Sequence, residues 1–245
     1  KGAEQKKFSL SQRLILSAIN LVPLRMRIRL FERMGLLIYT LDGKHRRIAL
    51  RNLTLAFPNT DAEKLAVIAR AVFRNLGRVM AEFTFIPRFN KQNLERYVSI
   101  EGIENFNQAR QKGKGILFLT AHFGNWEWMA ASFPLLPTGL VERLRTWTGN
   151  KTVSKQKSMG RLLRLLKRGE SLGILLDQNV AWQEGIFVNY FGELACTNIG
   201  LALLALKTGA PVLPAFNIRQ PDGRYRIVIE PELALIQTGD KDLDV

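Results

Sequence analysis

Cysteine and histidine are scarce in this chain, and their scarcity excludes several kinds of site. The single cysteine, Cys196, cannot form an internal disulfide, and the only histidines are His45 and His122. A zinc site takes three or four ligands from Cys, His and carboxylate side chains. We therefore predict no metal site. We also predict no nucleotide cofactor, because the sequence has neither a Walker A loop nor a paired-glycine dinucleotide fingerprint.

Long apolar runs and acidic residues are also in short supply. The longest uncharged run near the start covers residues 14–24, whereas a transmembrane helix needs about 20 apolar residues. Only 21 Asp and Glu stand against 36 Lys and Arg, so the formal net charge is +15. This surplus predicts an anionic partner, and charge alone leaves nucleic acid, anionic lipid and an acidic carrier protein open.

Residues 8–41 combine apolar positions at helical spacing with four arginines between residues 25 and 33. Cations beside an apolar face are typical of a helix lying in a membrane interface, and also of a surface helix pair packed on a core. Both interpretations stay open from the pattern. We assign residues 1–60 to an amphipathic helical, membrane-associating region and residues 61–245 to a second domain. The arginines are Arg25, Arg27, Arg29 and Arg33.

Short apolar runs and helical patterns alternate from about residue 95 onward. Alternating strands and helices predict an α/β fold with a mainly parallel or mixed central sheet flanked by helices. An Asp-Gly pair at residues 222–223 predicts a hairpin between the last two strands. The predicted strands cover residues 97–100, 116–120, 172–176, 212–218 and 225–230, and the predicted helices cover residues 104–111, 158–168 and 199–208.

The segment that follows the apolar run 116–120 has the residues of a catalytic loop. Open α/β sheets bind ligands beyond the carboxyl ends of their strands, and His122 stands there. Gly124 allows a tight turn, and Asn125 can cap a helix that has Glu127 in its first turn. A carboxylate on one ring nitrogen leaves the other free to accept a proton. The alternative is a core histidine beside a chance glutamate.

Two further clusters are candidates for binding. Asp177 and Gln178 stand at the end of a second predicted buried strand. They either line the same binding site as His122 or simply lead into a loop. Arg161 and Arg164 lie on one side of the basic helix 158–168, with leucines on the other side. This amphipathic pattern predicts either an anion site or a solvated surface.

The ordered motifs resemble those of a known family. Residues 117–127 resemble the histidine–four residues–acid block of the glycerolipid acyltransferase superfamily, and Asn125-Trp126-Glu127 is similar to its lipid A branch, the late lauroyl/myristoyl acyltransferases. Further segments match in the same order. They are Arg51-Asn52-Leu53, Phe57-Pro58, Leu176-Asp177-Gln178, residues 184–188, Thr197 and residues 208–214.

The resemblance implies transfer of a fatty acyl chain from an acyl carrier protein or coenzyme A thioester to a hydroxyl of a lipid A precursor. It implies no cofactor and no nucleic acid, and it places the enzyme on the anionic cytoplasmic face of the bacterial inner membrane. A lysophospholipid, ornithine lipid or glycolipid acceptor stays open, as does a non-catalytic basic membrane-binding domain.

The resemblance also assigns roles to individual residues. His122 is the general base and Glu127 orients it. A family segment after the catalytic helix is short here, so Arg143 and Arg145 are the arginines considered near the thioester. The complete set of candidate substrate-binding residues is Gly124, Asn125, Arg143, Arg145, Arg161, Arg164, Asp177, Gln178, Glu184, Gly185 and Thr197.

Overall fold

The computed structural model describes residues 17–90, 92–132, 159–236 and 238–240. The chain divides into two compact units, with the boundary between Arg88 and Phe89. The first unit holds a helical segment at residues 17–21, followed by three helices. These are α1 (Leu24–Leu41), α2 (Gly43–Ala56) and α3 (Ala62–Phe83). No helix in the described part of the chain is long and apolar enough to cross a membrane.

Two glycines bring the backbones of α1 and α3 into direct contact. A Cβ atom on Gly35 would lie 2.2 Å from the carbonyl oxygen of Phe73, and one on Gly77 would lie 2.1 Å from that of Phe31. Only glycine allows so close an approach. The rings of Tyr39 and Phe73 pack edge to face beside this crossing, with centroids 5.4 Å apart. Helix α3 therefore belongs with the N-terminal helices, whereas the sequence analysis placed the domain boundary after residue 60.

Five strands among the described residues of the second unit form one sheet. They are β1 (Val98–Glu101), β2 (Ile116–Thr120), β3 (Ser171–Leu175), β6 (Val212–Arg219) and β7 (Tyr225–Ile229). Their order across the sheet is β1-β7-β6-β2-β3. A separate hairpin consists of β4 (Gly185–Tyr190) and β5 (Glu193–Asn198). The helices are α4 (Ile103–Gln111), α5 (Trp126–Ser132), α6 (Met159–Lys167) and α7 (Gly200–Thr208). The predicted α/β class is confirmed.

Strand direction determines which loops meet. Strand β2 pairs in parallel with both β3 and β6, while β7 runs antiparallel to β6 and parallel to β1. Thr120, the last residue of β2, stands opposite Leu175, the last residue of β3. The segments that leave β2 and β3 therefore emerge side by side at one edge of the sheet.

The apolar runs that predicted the strands form the core. Leu117 on β2, Leu166 on α6, Leu204 on α7 and Val212 on β6 are almost completely buried in one cluster. Removing this area from water stabilises the sheet–helix layers by roughly 1.5–3 kcal/mol for each large side chain.

The hairpin β4–β5 was not predicted as strands. Its apolar side chains do not alternate with polar ones, and Phe187 and Leu194 are exposed. The available signal was its two-residue turn, in which Phe191 and Gly192 both have positive φ (55° and 83°). Such turns match the twist of hairpin strands.

Candidate active site

His122 lies two residues beyond β2, in a loop that a glycine turns sharply. Gly124 has a φ of 60°. A Cβ atom added there would lie 1.8 Å from the carbonyl oxygen of Asn217 on β6. Both the left-handed backbone and the close approach require glycine. Gly124, predicted to bind substrate, therefore has a structural role in presenting His122.

Asn125 directly precedes helix α5 and is fully buried. Its side-chain oxygen accepts a hydrogen bond from the backbone N–H of Trp128 at 3.1 Å, which confirms the predicted cap. Its backbone oxygen accepts a 2.6 Å hydrogen bond from the Asn217 side chain. The side chain predicted to contact substrate thus holds the start of the helix. Asn217 was not among the residues predicted from the sequence, although an asparagine within an apolar buried strand is an available signal.

The imidazole of His122 is paired with a carboxylate from the neighbouring strand. Its Nδ1 lies 2.9 Å from Oδ1 of Asp177, and its backbone N–H donates to Oδ2 of the same residue, also at 2.9 Å. An ionised carboxylate only accepts hydrogen bonds, so the proton of the neutral ring is on Nδ1. Nε2 is then the nitrogen that can accept a proton.

Burial and hydrogen bonding act in opposite directions on the pKa of Asp177. Partial burial raises the pKa of its carboxyl, but the hydrogen bonds from the ring and backbone of His122 outweigh it, and the net pKa is lowered. The side chains of His122 and Asp177 are 33% and 30% exposed. Asp177 is therefore ionised at neutral pH and the pair stays open to a substrate.

Glu127 contacts the imidazole only through its neighbour. Its Oε1 accepts a hydrogen bond from the indole N–H of Trp126 at 3.2 Å. The Trp126 ring packs edge to face on His122, with centroids 4.9 Å apart. Among the described residues, Glu127 forms no hydrogen bond with His122. Its predicted role as the direct orienter stays a prediction.

Helix α5 is held in place by an aromatic cluster around Trp128. Trp128 is buried and packs against Phe89, Tyr97 and Tyr225 at centroid distances of 4.7, 5.9 and 5.4 Å. The tilted and edge-to-face geometries are those that aromatic pairs prefer. This packing fixes the helix from which Trp126 and Glu127 project.

The other residues predicted after β3 lie around the base of the hairpin. Gln178 is exposed beside Asp177. Asn179 accepts a 2.8 Å hydrogen bond from the backbone N–H of Cys196 on β5, which ties the hairpin to the Asp177 loop. Glu184 ends a short 3-10 turn. A Cβ atom on Gly185 would lie 2.3 Å from the carbonyl oxygen of Thr197, so this pair is tightly packed.

The four arginines predicted to bind substrate fall into two pairs. Arg161 and Arg164 are exposed on α6, whose Leu166 is buried in the core. Arg143 and Arg145 lie outside the described residues. In the part of the chain that the structure describes, no group of three or more His, Cys, Asp and Glu side chains is arranged to hold a metal ion.

The fold and this site define the class: an α/β protein with a histidine–carboxylate pair where two parallel strands end, the arrangement that general-base enzymes use. Residues 12–243 match the family described as bacterial lipid A biosynthesis acyltransferase. The chain belongs to this family and is an O-acyltransferase, as the motifs predicted.

Individual relatives of the chain are also named as acyltransferases. The chain is 25% identical to the lipid A biosynthesis lauroyltransferase of Escherichia coli K12, over 81% of this chain and 70% of that protein. It is 27% identical to a lipid A biosynthesis acyltransferase of Haemophilus influenzae, over 87% and 72% of the two chains. It is 24% identical to the phosphatidylinositol mannoside acyltransferase of Mycolicibacterium smegmatis, over 75% and 66%.

Proposed function

We propose that this enzyme transfers a fatty acyl chain from a thioester to a hydroxyl of a lipid A precursor, with His122 as the general base. The observation that carries the proposal is the 2.9 Å contact between His122 Nδ1 and Asp177, which leaves Nε2 free as a base. A general base of this kind contributes about 10²–10⁴ to the rate.

The proposed reaction needs no protein nucleophile. Nε2 of His122 takes the proton of the acceptor hydroxyl as its oxygen attacks the thioester carbonyl carbon, forming a tetrahedral oxyanion. Collapse of this intermediate forms the ester and breaks the carbon–sulfur bond. The departing thiolate takes the proton back from the imidazolium, so the enzyme returns to its starting state.

Two carboxylates support the base in this proposal. Asp177 fixes the Nδ1–H tautomer and stabilises the imidazolium, as the carboxylate of a catalytic triad does. Glu127 holds Trp126, whose ring packs on the imidazole and limits its rotation. The direct role that the sequence predicted for Glu127 is the competing version, and substitution of each carboxylate by its amide separates the two.

The acceptor is proposed from the family. The Escherichia coli and Haemophilus influenzae relatives are named for lipid A biosynthesis, which supports a lipid A precursor. The mannoside acyltransferase of Mycolicibacterium smegmatis supports a glycolipid as the second candidate. A lysophospholipid or ornithine lipid would be accommodated by the same chemistry, since only a nucleophilic hydroxyl is required.

The donor is proposed from charge. A carrier protein is acidic, and the net charge of +15 favours its encounter with this enzyme. Arg161 and Arg164 are exposed on α6. Their substitution by glutamate should raise the KM for an acyl carrier protein donor more than the KM for acyl coenzyme A. Substitution of the exposed Arg96 and Lys207 by glutamate is the control, and equal effects of the two pairs would reject docking on α6.

We place the enzyme at the cytoplasmic face of the bacterial inner membrane, because a carrier-protein thioester is a cytoplasmic donor and the lipid acceptor is held in a bilayer. The basic charge suits an anionic membrane surface. Fractionation of cells expressing the full-length protein tests this location. Recovery entirely with the soluble fraction, at physiological salt, would contradict it.

The reaction itself is tested by acyl transfer with purified protein. Carrier-protein and coenzyme A thioesters are combined with lipid A precursors, lysophospholipids, ornithine lipids and glycolipids. We expect transfer to a lipid A precursor that His122→Ala abolishes without unfolding the protein. If His122-dependent transfer occurs only to another class of lipid, that class is the acceptor and not a lipid A precursor. Full activity of His122→Ala would reject the mechanism.

A further inference from the structure

The helical unit contains a cleft with basic walls. It has a volume of about 290 Å³ and is lined by residues of α1 and α3, namely Arg29, Glu32, Arg33, Leu36 and Arg74. Arg29, Arg33 and Leu36 recur at spacings of three and four on α1, so they share one side of that helix. Arg74 projects from α3 on the other wall.

The walls of the cleft are held in place by the glycine crossing. Gly35 on α1 and Gly77 on α3 bring the two backbones together within a turn of the arginines. Because neither helix can shift without a clash or a gap, the backbones that carry the arginines of the two walls keep a constant separation.

One carboxylate fixes the wall formed by α3. Glu32 is buried and forms ion pairs with Arg74, at 3.2 Å, and with Arg78. Arg29 and Arg33 have no acidic partner among the described residues. Three guanidinium groups therefore line the cleft beside one carboxylate, and the cleft keeps a surplus of about two positive charges at neutral pH.

This surplus is suited to a phosphate group. Guanidinium groups are planar, permanently charged, and bind phosphate oxygens through paired N–H donors. With Arg74 already oriented by Glu32, less side-chain entropy is lost when an anion binds. Arg29 and Arg33 supply the charges that Glu32 does not balance.

The surroundings of the cleft favour a lipid over a soluble phosphate. A second stripe on α1 exposes large apolar side chains next to the arginines. Leu30 and Leu37 are each 56% exposed, and Leu41 is 74% exposed. Leu36 itself lines the cleft. Cations beside an exposed apolar stripe match the border between lipid headgroups and acyl chains.

We propose that this cleft binds the phosphate of an anionic lipid headgroup, with Arg29, Arg33 and Arg74 on the phosphate and the apolar stripe of α1 against the acyl region. The site belongs to the helical unit and does not depend on the acyl-transfer chemistry. It makes membrane binding selective for lipids whose phosphate headgroup carries a net negative charge, and not a general effect of the net charge of the protein.

The test is vesicle binding by the full-length protein. Vesicles of pure phosphatidylcholine are compared with a four-to-one mixture of phosphatidylcholine and phosphatidic acid. The variant R29Q/R33Q removes two charges from the cleft. The control variant K44Q/R47Q removes two exposed charges from α2, and thermal unfolding confirms that both are folded.

Cations near an anionic membrane each contribute to binding by several-fold. We expect R29Q/R33Q to weaken binding to the phosphatidic acid vesicles by about 30-fold and K44Q/R47Q by less than about threefold. Equal losses in both variants would overturn the proposal in favour of nonspecific charge. Inorganic phosphate is the second probe. If it displaces the protein from the vesicles at a concentration comparable to that of the lipid phosphate, the site takes free phosphate and the lipid assignment is wrong.

Discussion

Replacing Asp177 by asparagine tests which carboxylate orients the base. Both oxygens of Asp177 accept hydrogen bonds from His122, one from Nδ1 and one from the backbone N–H. Asparagine has nearly the same shape, and its oxygen can still accept from the backbone. Its amide NH₂ would then face Nδ1. Because that group donates, the ring would have to carry its proton on Nε2, and the base would be lost.

The expected loss follows from what a general base contributes. D177N should lower kcat/KM by about 10²–10⁴, which corresponds to about 2.7–5.4 kcal/mol of barrier. E127Q is the matched control, since glutamine keeps an oxygen to accept the 3.2 Å hydrogen bond from Trp126. One weakened neutral hydrogen bond costs about 1 kcal/mol, so E127Q should lose less than about tenfold.

The assay is single-turnover acyl transfer, which isolates chemistry from product release, with thermal unfolding as the check on structure. The two amide substitutions should differ by at least about tenfold, with D177N the more impaired. The opposite order, a large loss in E127Q and a small one in D177N, would refute this reasoning. It would show that Glu127 approaches His122 directly during catalysis.

Two further predictions concern stability. G124A should lower the free energy of unfolding by more than the roughly 1–3 kcal/mol of a left-handed alanine, because its Cβ would also clash with Asn217. G113A is the control: a Cβ there would meet nothing within 4 Å, so it should cost only the backbone strain. Urea unfolding of both variants measures the difference. The pKa of Asp177 is lowered in the folded state, so its contribution is complete above its ordinary pKa of about 3.9 and is lost as the pH falls through the lower folded value. D177N should therefore be less stable than wild type at neutral pH, and the gap in Tm should narrow below about pH 4. A gap that stays constant down to pH 3 would contradict the assignment.

The sequence by itself determined most of the local elements and the position of the proposed base. Apolar runs of strand length marked β2, β3 and β6. A strand buried on both sides must be apolar throughout, and β2 is buried in this way, whereas β3, predicted as a buried strand, is only partly buried. A histidine directly after such a run is at the end of the sheet where ligands bind, so His122 could be placed without coordinates. The cap formed by Asn125 followed from the same local chemistry.

Only the tertiary structure decided which carboxylate meets the histidine. Glu127 is five residues from His122 and Asp177 is 55 residues away. Local spacing therefore pointed to Glu127, whereas Asp177 is the carboxylate that contacts the ring. The parallel register that sets Thr120 opposite Leu175 brings the two strand ends together. Glu127 instead follows the turn at Gly124 into α5, where its carboxylate contacts Trp126.

Tertiary packing also decided where the helical unit ends. The pattern of α3 is amphipathic and fits either unit, so the sequence could not assign it. Gly35 and Gly77 place α3 with α1 because the two backbones pass within contact distance at these glycines. Neither glycine indicates this contact in the sequence alone, since the requirement for glycine comes from the partner helix. Pairings between distant segments have no local periodicity, and for that reason both the partner of His122 and the basic cleft of α1 and α3 emerged only from the folded chain.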